Sequence, residues 1–455
     1  MISTLVLISL LAAPRAPVDA EVVAFVPRLD ATDQLLPFFV AAGSRSSLLR
    51  PEAWRGDAHP LINVDVTSPA ALKQVGIDAT ASLTRSQLGD ATVACVKVSD
   101  VDAYRKACDE KLGRLGEVFE KLEGGVSVYA TRDPLGRVMA AYVLGGHESC
   151  AINGHGRSVE AHLASLARTV TKPATGPGFT LAAKLPGVVQ LIAPGGATPG
   201  VVSLSAKDLA LTLDSKLKGA PLAQLAGAGA SPFGAFSAPG MVVVRARLAK
   251  SGVPAMVDQV VRQLPGAAVL GPLAKEVAPY VTGNTALLLS HARVTTGLRT
   301  REARFFALKG ALLVEVSDPA AVAALLARLD LKALTLREGT LAVSLEGSTL
   351  VLSNDAEVKA RALAALPTAA GRQARGLEFE VDPRLVARGL SQVPLLEAIQ
   401  SPELAGFVAA GSELGPLLLA SQRVSGWLDS AGAGQHAARL LWQLDTAKFT
   451  PDAGH

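Results

Sequence analysis

Apolar and polar residues alternate with period two, with β-branched residues prominent, over residues 92–98, 312–316, 340–345 and 349–353. Gly, Ser or Asp bounds each run, so each predicts a strand. Beyond the first of them the period changes. Val101, Tyr104, Cys108, Leu112, Leu115, Phe119 and Leu122 recur at three and four residues, the stripe of one helix about five turns long. Near the C-terminus, two alternating runs between Ser421 and Leu444 flank Ala431-Gly-Ala-Gly434 and read as a hairpin. The order strand, helix, hairpin, helix predicts an α+β class: a mainly antiparallel sheet with helices packed on one face.

The pattern occurs twice. Gly76-Ile-Asp-Ala-Thr-Ala-Ser-Leu83 leads to Val96-Lys-Val-Ser-Asp100 and a helix, as Gly283-Asn-Thr-Ala-Leu-Leu-Leu-Ser290 leads to Val314-Glu-Val-Ser-Asp318 and another. A hairpin and a final helix follow in both, the helices near residues 158–167 and 357–365, and Leu377-Glu-Phe-Glu-Val-Asp382 is a shorter third echo. Runs of small and helix-breaking residues at 169–178 (TVTKPATGPG) and 367–376 (PTAAGRQARG) read as linkers. They divide the chain into a first copy at 21–170, a second at 175–367, a C-terminal segment at 376–446 and a tail at 447–455. The 455 residues are enough for two or three domains, each with its own core.

Val23-Ala-Phe-Val-Pro27, Thr282-Gly-Asn-Thr-Ala286 and the repeated strand-Asp-helix units resemble those of large uncharacterised bacterial exported proteins grouped as domains of unknown function. The resemblance implies an exported α+β protein and transfers no active-site residue. The N-terminus points the same way. An apolar run from Leu5 to Ala13 is too short to span a bilayer but has the length of a signal-peptide core, and Val18 and Ala20 suit cleavage after Ala20. Residues 1–20 are therefore expected to be a signal peptide, and the mature chain a periplasmic or secreted protein. Later apolar stretches are broken by Ser, Gly, Glu and Pro, so no transmembrane segment is expected after signal removal.

Composition narrows the partners. Aliphatic residues must fill the cores, because only 4% of the chain is aromatic, and few rings remain to stack on sugars or bases. The 44 basic and 40 acidic residues are dispersed, so no basic block tracks a phosphate backbone and nucleic acid is not an expected partner. A protein or small-molecule ligand of unknown kind remains.

Candidate chemistry is sparse. Asp100, Asp318 and Asp382 each stand where a strand gives way to a helix, with Pro319 and Pro383 next in line; helix capping is the expectation. His147, Glu148, Cys150, His155 and His162 include zinc-type ligands, but at spacings that match no zinc signature, so a surface turn is expected. Ser215-Lys-Leu-Lys218 fits Ser-x-x-Lys without its companion motifs, residues 227–240 read as a flexible glycine-rich loop, and Arg55-Gly-Asp57 reads as a polar turn. No metal, cofactor or catalytic residue is expected. Of the three cysteines, parity favours a Cys108–Cys150 disulfide: Cys108 lies on the helical stripe, while Cys95 shares its strand face with Lys97. The expected function is a non-catalytic extracytoplasmic binding or scaffold protein. The alternatives are a hydrolase with a dispersed site and an apolar-ligand carrier.

Overall fold

A computed structural model describes residues 15–17, 20–56, 58–172, 174–195, 199–218, 225–255, 257–258, 267–292, 305–328, 333–336, 339–366, 372–392, 402–430 and 434–449. The class is α+β. Nearly all of the expected signal peptide, the start of the second expected linker, Asp57, most of the C-terminal hairpin turn and most of the tail lie outside the described residues.

The chain forms two compact units, Met1–Ser44 with Leu49–Lys218, and Arg45–Leu48 with Gly219–His455. In the first, the strands are β1 (Val23–Val26), β2 (Leu83–Leu88), β3 (Ala91–Lys97), β4 (Glu117–Glu123), β5 (Val126–Arg132), β6 (Val138–Gly145), β7 (Glu148–Asn153), β8 (Val189–Ala193), β9 (Gly200–Lys207) and β10 (Ala210–Lys218). They pair antiparallel in the order β4-β5-β6-β7-β3-β2-β1-β8-β9-β10. The helices used below are α1 (Glu52–Arg55), α2 (Val101–Leu115) and α3 (Leu163–Thr171).

The second unit contains β11 (Gly229–Ser231), β12 (Val242–Arg247), β13 (Val281–Ala292), β14 (Leu308–Val316), α4 (Pro319–Arg328), β15 (Ala333–Leu336), β16 (Gly339–Glu346), β17 (Thr349–Ser353) and α5 (Ala356–Ala364). It continues with β18 (Arg372–Ala374), β19 (Leu377–Val381), α6 (Pro383–Ser391), α7 (Pro402–Leu419), β20 (Ser421–Ser430) and β21 (Gln435–Leu444). Its sheet runs β15-β16-β17-β14-β13-β12-β19-β20-β21, again antiparallel, with β11 and β18 as a separate ribbon. Apart from the extra edge strand β4, the two sheets have the same strands in the same order. No described helix is long and apolar enough to cross a membrane.

These units correct the expected boundaries. The first linker falls inside the first unit, because β8 joins the sheet on β1 and brings β9 and β10 with it. The C-terminal segment is not separate either, since β19 pairs with β12. By sheet position Leu377–Val381 is the counterpart of β8, not the start of a third copy.

Helices cover both faces of each sheet, not one. On β3, Val93 and Cys95 look into a core with Leu163, Leu166 and Val170 of α3, while Val96 joins Val98, Tyr104, Cys108 and Leu112 on the α2 side. The second unit repeats this: Val314, Val316 and Val322 of α4 share one core, and Leu313, Val358 and Ala362 of α5 the other. Every residue of β3 except Lys97 is therefore buried. The long stripe is also divided. Helix α2 stops at Leu115 because Gly116 passes so close to Arg132 that a Cβ there would lie 2.0 Å from the Arg132 carbonyl oxygen. Phe119 and Leu122 belong to β4, and Leu122 is 74% exposed.

Candidate functional site

The strand-to-helix junctions match in detail. Ile77 bridges Val98 and Val281 pairs with Val316. The Ser99 N–H and Oγ–H both donate to the Gly76 carbonyl at 2.8 and 3.2 Å, as those of Ser317 do to Tyr280 at 2.8 and 3.1 Å. Gly76, at φ +74°, is pressed against the helix start, where a Cβ would lie 2.1 Å from the Asp100 carbonyl oxygen. Its counterpart is Tyr280, so the expected alignment of Gly76 with Gly283 is displaced. Next, Asp100 Oδ1 accepts from the Ala103 N–H at 3.0 Å and Asp318 Oδ1 from that of Ala321 at 2.9 Å. Asp382 Oδ1 accepts from Arg384 and Leu385. All three carboxylates satisfy otherwise unpaired helix N–H groups.

The disulfide corrects the cysteine expectation: Cys95 pairs with Cys150, and Cys108 is free and buried. The two bonded residues are directly opposed in the β3–β7 register, with Cα atoms 4.0 Å apart. Cys108 lies across the sheet from them, in the other core. The parity of Cys95 with Lys97 misled because α3 buries that face up to the last residue of the strand. In the second unit the same register opposes Leu313 and Val351, so the disulfide occupies a place where that unit packs two aliphatic side chains.

The histidine cluster disperses. His147 Nδ1 lies 3.0 Å from the Val98 carbonyl, Glu148 pairs with Arg15, His155 sits in a turn at φ +45°, and His162 is in a short 3₁₀ turn. Among the described residues no three His, Cys, Asp or Glu side chains converge as a metal site. Ser215 and Lys218 lie on β10 at odd separation, hence on opposite faces. The 227–240 stretch is not a loose loop, for Phe233 and Phe236 are buried in the second unit's core.

The polar cluster that does converge was not expected from the sequence. His59, Tyr104, Cys108 and Ser149 meet inside the first unit, the last three fully buried and His59 4% exposed. His59 Nδ1 accepts from the Leu61 and Ile62 N–H groups at 3.3 and 3.1 Å. The proton is therefore on Nε2, which donates to the Tyr104 hydroxyl at 3.1 Å. Ser149 Oγ donates to the same oxygen at 2.9 Å, and Cys108 shares the core with Tyr104. Tyr142 beside it donates to Asp109 at 2.7 Å. Burial holds the His59 pKa down at about 3, and burial pushes the Tyr104 hydroxyl and the Cys108 thiol well up. All three are neutral at pH 7.

The second unit supplies an internal control. Counting from the matched capping aspartates and strand registers, Tyr104 corresponds to Val322, Cys108 to Leu326, Ser149 to Leu350 and Tyr142 to Val343. The same architecture thus stands on aliphatic residues at every one of these positions. The polar cluster is particular to the first unit.

Over it opens a cleft of about 710 Å³. One wall is helix α2, with Ala107, Glu110, Lys111 and Arg114; the other carries Glu52 from α1 and the stretch from His59 to Asn63. Glu110 and Arg114 pair with each other. His59 joins the cleft to the cluster beneath it. In the sequence, its only signal was a histidine followed by apolar residues; Tyr104 read simply as part of a helical stripe.

No family model matches the chain, and no curated protein does. It is similar to a solved structure, crystal form I of TP0453, at 11% identity and a TM-score of 0.21, over 78% of this chain and 96% of that one. A likeness at that TM-score carries no argument about fold or function.

Proposed function

We propose that the protein is a non-catalytic extracytoplasmic binding or scaffold protein, built from two copies of one duplicated α+β domain, with the first copy carrying the binding site. The observation that supports this best is the closure of His59, Tyr104, Cys108 and Ser149 on one another in the interior. A hydrolase needs a nucleophile open to substrate beside a base that can take its proton. Here the serine and thiol are buried, the imidazole's one lone pair faces two backbone N–H groups, and the thiol is held protonated. The shared strand order and paired junction hydrogen bonds support duplication. Export is supported by the Cys95–Cys150 bond, since disulfides persist in oxidising compartments.

The reading is tested by native mass spectrometry of the protein recovered from its own envelope fraction. The expected species begins near Glu21, carries one disulfide and retains a non-covalent ligand or partner. On non-reducing peptide mapping, Cys95 crosslinks to Cys150. Cleavage after Ala20 also removes Arg15 and Ala16, which pack on the core and on Glu148. A cytoplasmic protein with Met1 intact and three reduced cysteines would contradict it.

A further inference from the structure

We infer that β4 is a docking edge, where an extended segment of a partner protein adds a strand to the first sheet through a Lys or Arg set between two aliphatic residues at alternate positions. The inference rests on the proposed binding or scaffold function and names its partner class. Strand β4 has no counterpart in the second sheet, where only residues 329–332 separate α4 from β15. Among the described residues it pairs with β5 alone. The duplicated architecture is complete without it, so the strand has a use of its own. Proteins blunt an open edge with a Pro, a bulge, a very short strand or charge. Strand β4 runs for seven residues in unbroken register with β5 and contains no Pro. Charge is the device left to it, and charge also selects the partner.

One face of β4 anchors it: Phe119 packs against the core on the α3 side, and the Arg132 guanidinium lies 4.3 Å over its ring. By alternation the other face carries Val118, Glu120 and Leu122. Val118 is 41% and Leu122 74% exposed, and Glu120 between them is exposed as well. The turn Gly124–Gly125, at φ +57° and +87°, closes directly on the Glu123–Val126 pair. In such a two-residue hairpin the closing pair is hydrogen-bonded, and every second residue back along the strand repeats it. The N–H and C=O groups of Val118, Glu120 and Leu122 therefore point to the open edge. Apolar side chains and outward backbone groups come from the same residues, as strand addition requires. Lys121 is held by Glu123 at 3.0 Å, which leaves Glu120 as the charge between the two aliphatic residues. A second copy of this chain fits badly. The antiparallel register that sets Val118 against Leu122 of the copy also sets Glu120 against Glu120, and like charges directly opposite destabilise a sheet. A Lys or Arg opposite Glu120, with aliphatic residues two places to either side, satisfies all three positions.

Fluorescence anisotropy with the full oxidised protein tests this, using the dye-labelled peptide Thr-Val-Thr-Lys-Thr-Val-Thr. The controls are the same peptide with Glu in place of Lys, and a version N-methylated at its Lys and both Val residues. Expected is saturable binding of the Lys peptide, about tenfold tighter than that of the Glu peptide. Glu120→Lys should reverse the order of the two peptides, and Leu122→Ser should weaken both several-fold. N-methylation should abolish binding, because it removes the hydrogen bonds of the added strand. Both variants should keep the parent melting temperature, since both side chains are exposed. Equal affinity for the two peptides, binding that survives N-methylation, absence of binding, or a stable dimer that Leu122→Ser dissociates would overturn the assignment. A partner retained in the native mass spectrum and indifferent to Glu120→Lys would remove this assignment and leave the broader binding reading standing. No retained partner or ligand, together with no peptide binding, would remove both.

Discussion

At the scale of the residue, His59 shows how burial turns a titratable group into a structural one. Its pKa is near 3 in the fold and about 6.5 in the unfolded chain. Between these values the unfolded chain binds the extra proton, so stability from this group is full above about pH 6.5 and is lost as the pH falls toward 3. At about 1.4 kcal/mol per pH unit, roughly 2–3 kcal/mol is lost by pH 4.5. Urea unfolding of the parent and of His59→Gln at pH 7 and pH 4.5 measures this. The parent should lose about 2 kcal/mol more than the variant over that interval, and equal losses would contradict the assignment. This residue was not legible in the sequence, because its importance comes from Tyr104, which is remote in the chain. Cys95 was misread for a related reason. Strand parity correctly divides the residues of β3 between two faces, but it does not reveal that both faces are covered.

At the scale of the element, local rules read from sequence held where their causes are local. Asp318 and Asp382 precede Pro at the first helical position, and Asp100 Oδ1 accepts from the Ala103 N–H. Replacing Asp100 or Asp318 by Ala should each cost about 1 kcal/mol in urea unfolding, with circular dichroism otherwise unchanged. A loss near zero at both positions would mean that solvent replaces the caps without penalty. Period-two runs gave β17 its full extent and most of β3 and β16. The stripe through Leu122 overran because spacing alone does not report the crowding of Gly116 against Arg132, which ends α2 and starts an edge strand. The 227–240 stretch was misread because its glycines outweigh two phenylalanines whose burial depends on residues far along the chain.

At the scale of the whole molecule, the repeated Val-x-Val-Ser-Asp segments were legible because each combines a strand, a turn and a cap in five residues. The unit boundaries were not. Strands β8 to β10 follow a stretch that looks like a linker, and only their pairing with β1 assigns them to the first unit. Once the two units are compared position by position, their difference concentrates in the chemistry: a disulfide in place of Leu313 and Val351, and a tyrosine-centred cluster in place of valine and leucine. That cluster brings a serine, a thiol and an imidazole together in the first unit, yet all are buried, and the serine and imidazole are both hydrogen-bonded to the Tyr104 hydroxyl. The account therefore turns on whether these groups are sealed in the native protein. The direct measurement is exposure of the native oxidised protein to a fluorophosphonate and to iodoacetamide, followed by peptide mapping. The account predicts no modification of Ser149 or Cys108 until the protein is unfolded, when Cys108 alkylates. Modification of either in the native state would contradict it and make the cluster an active site.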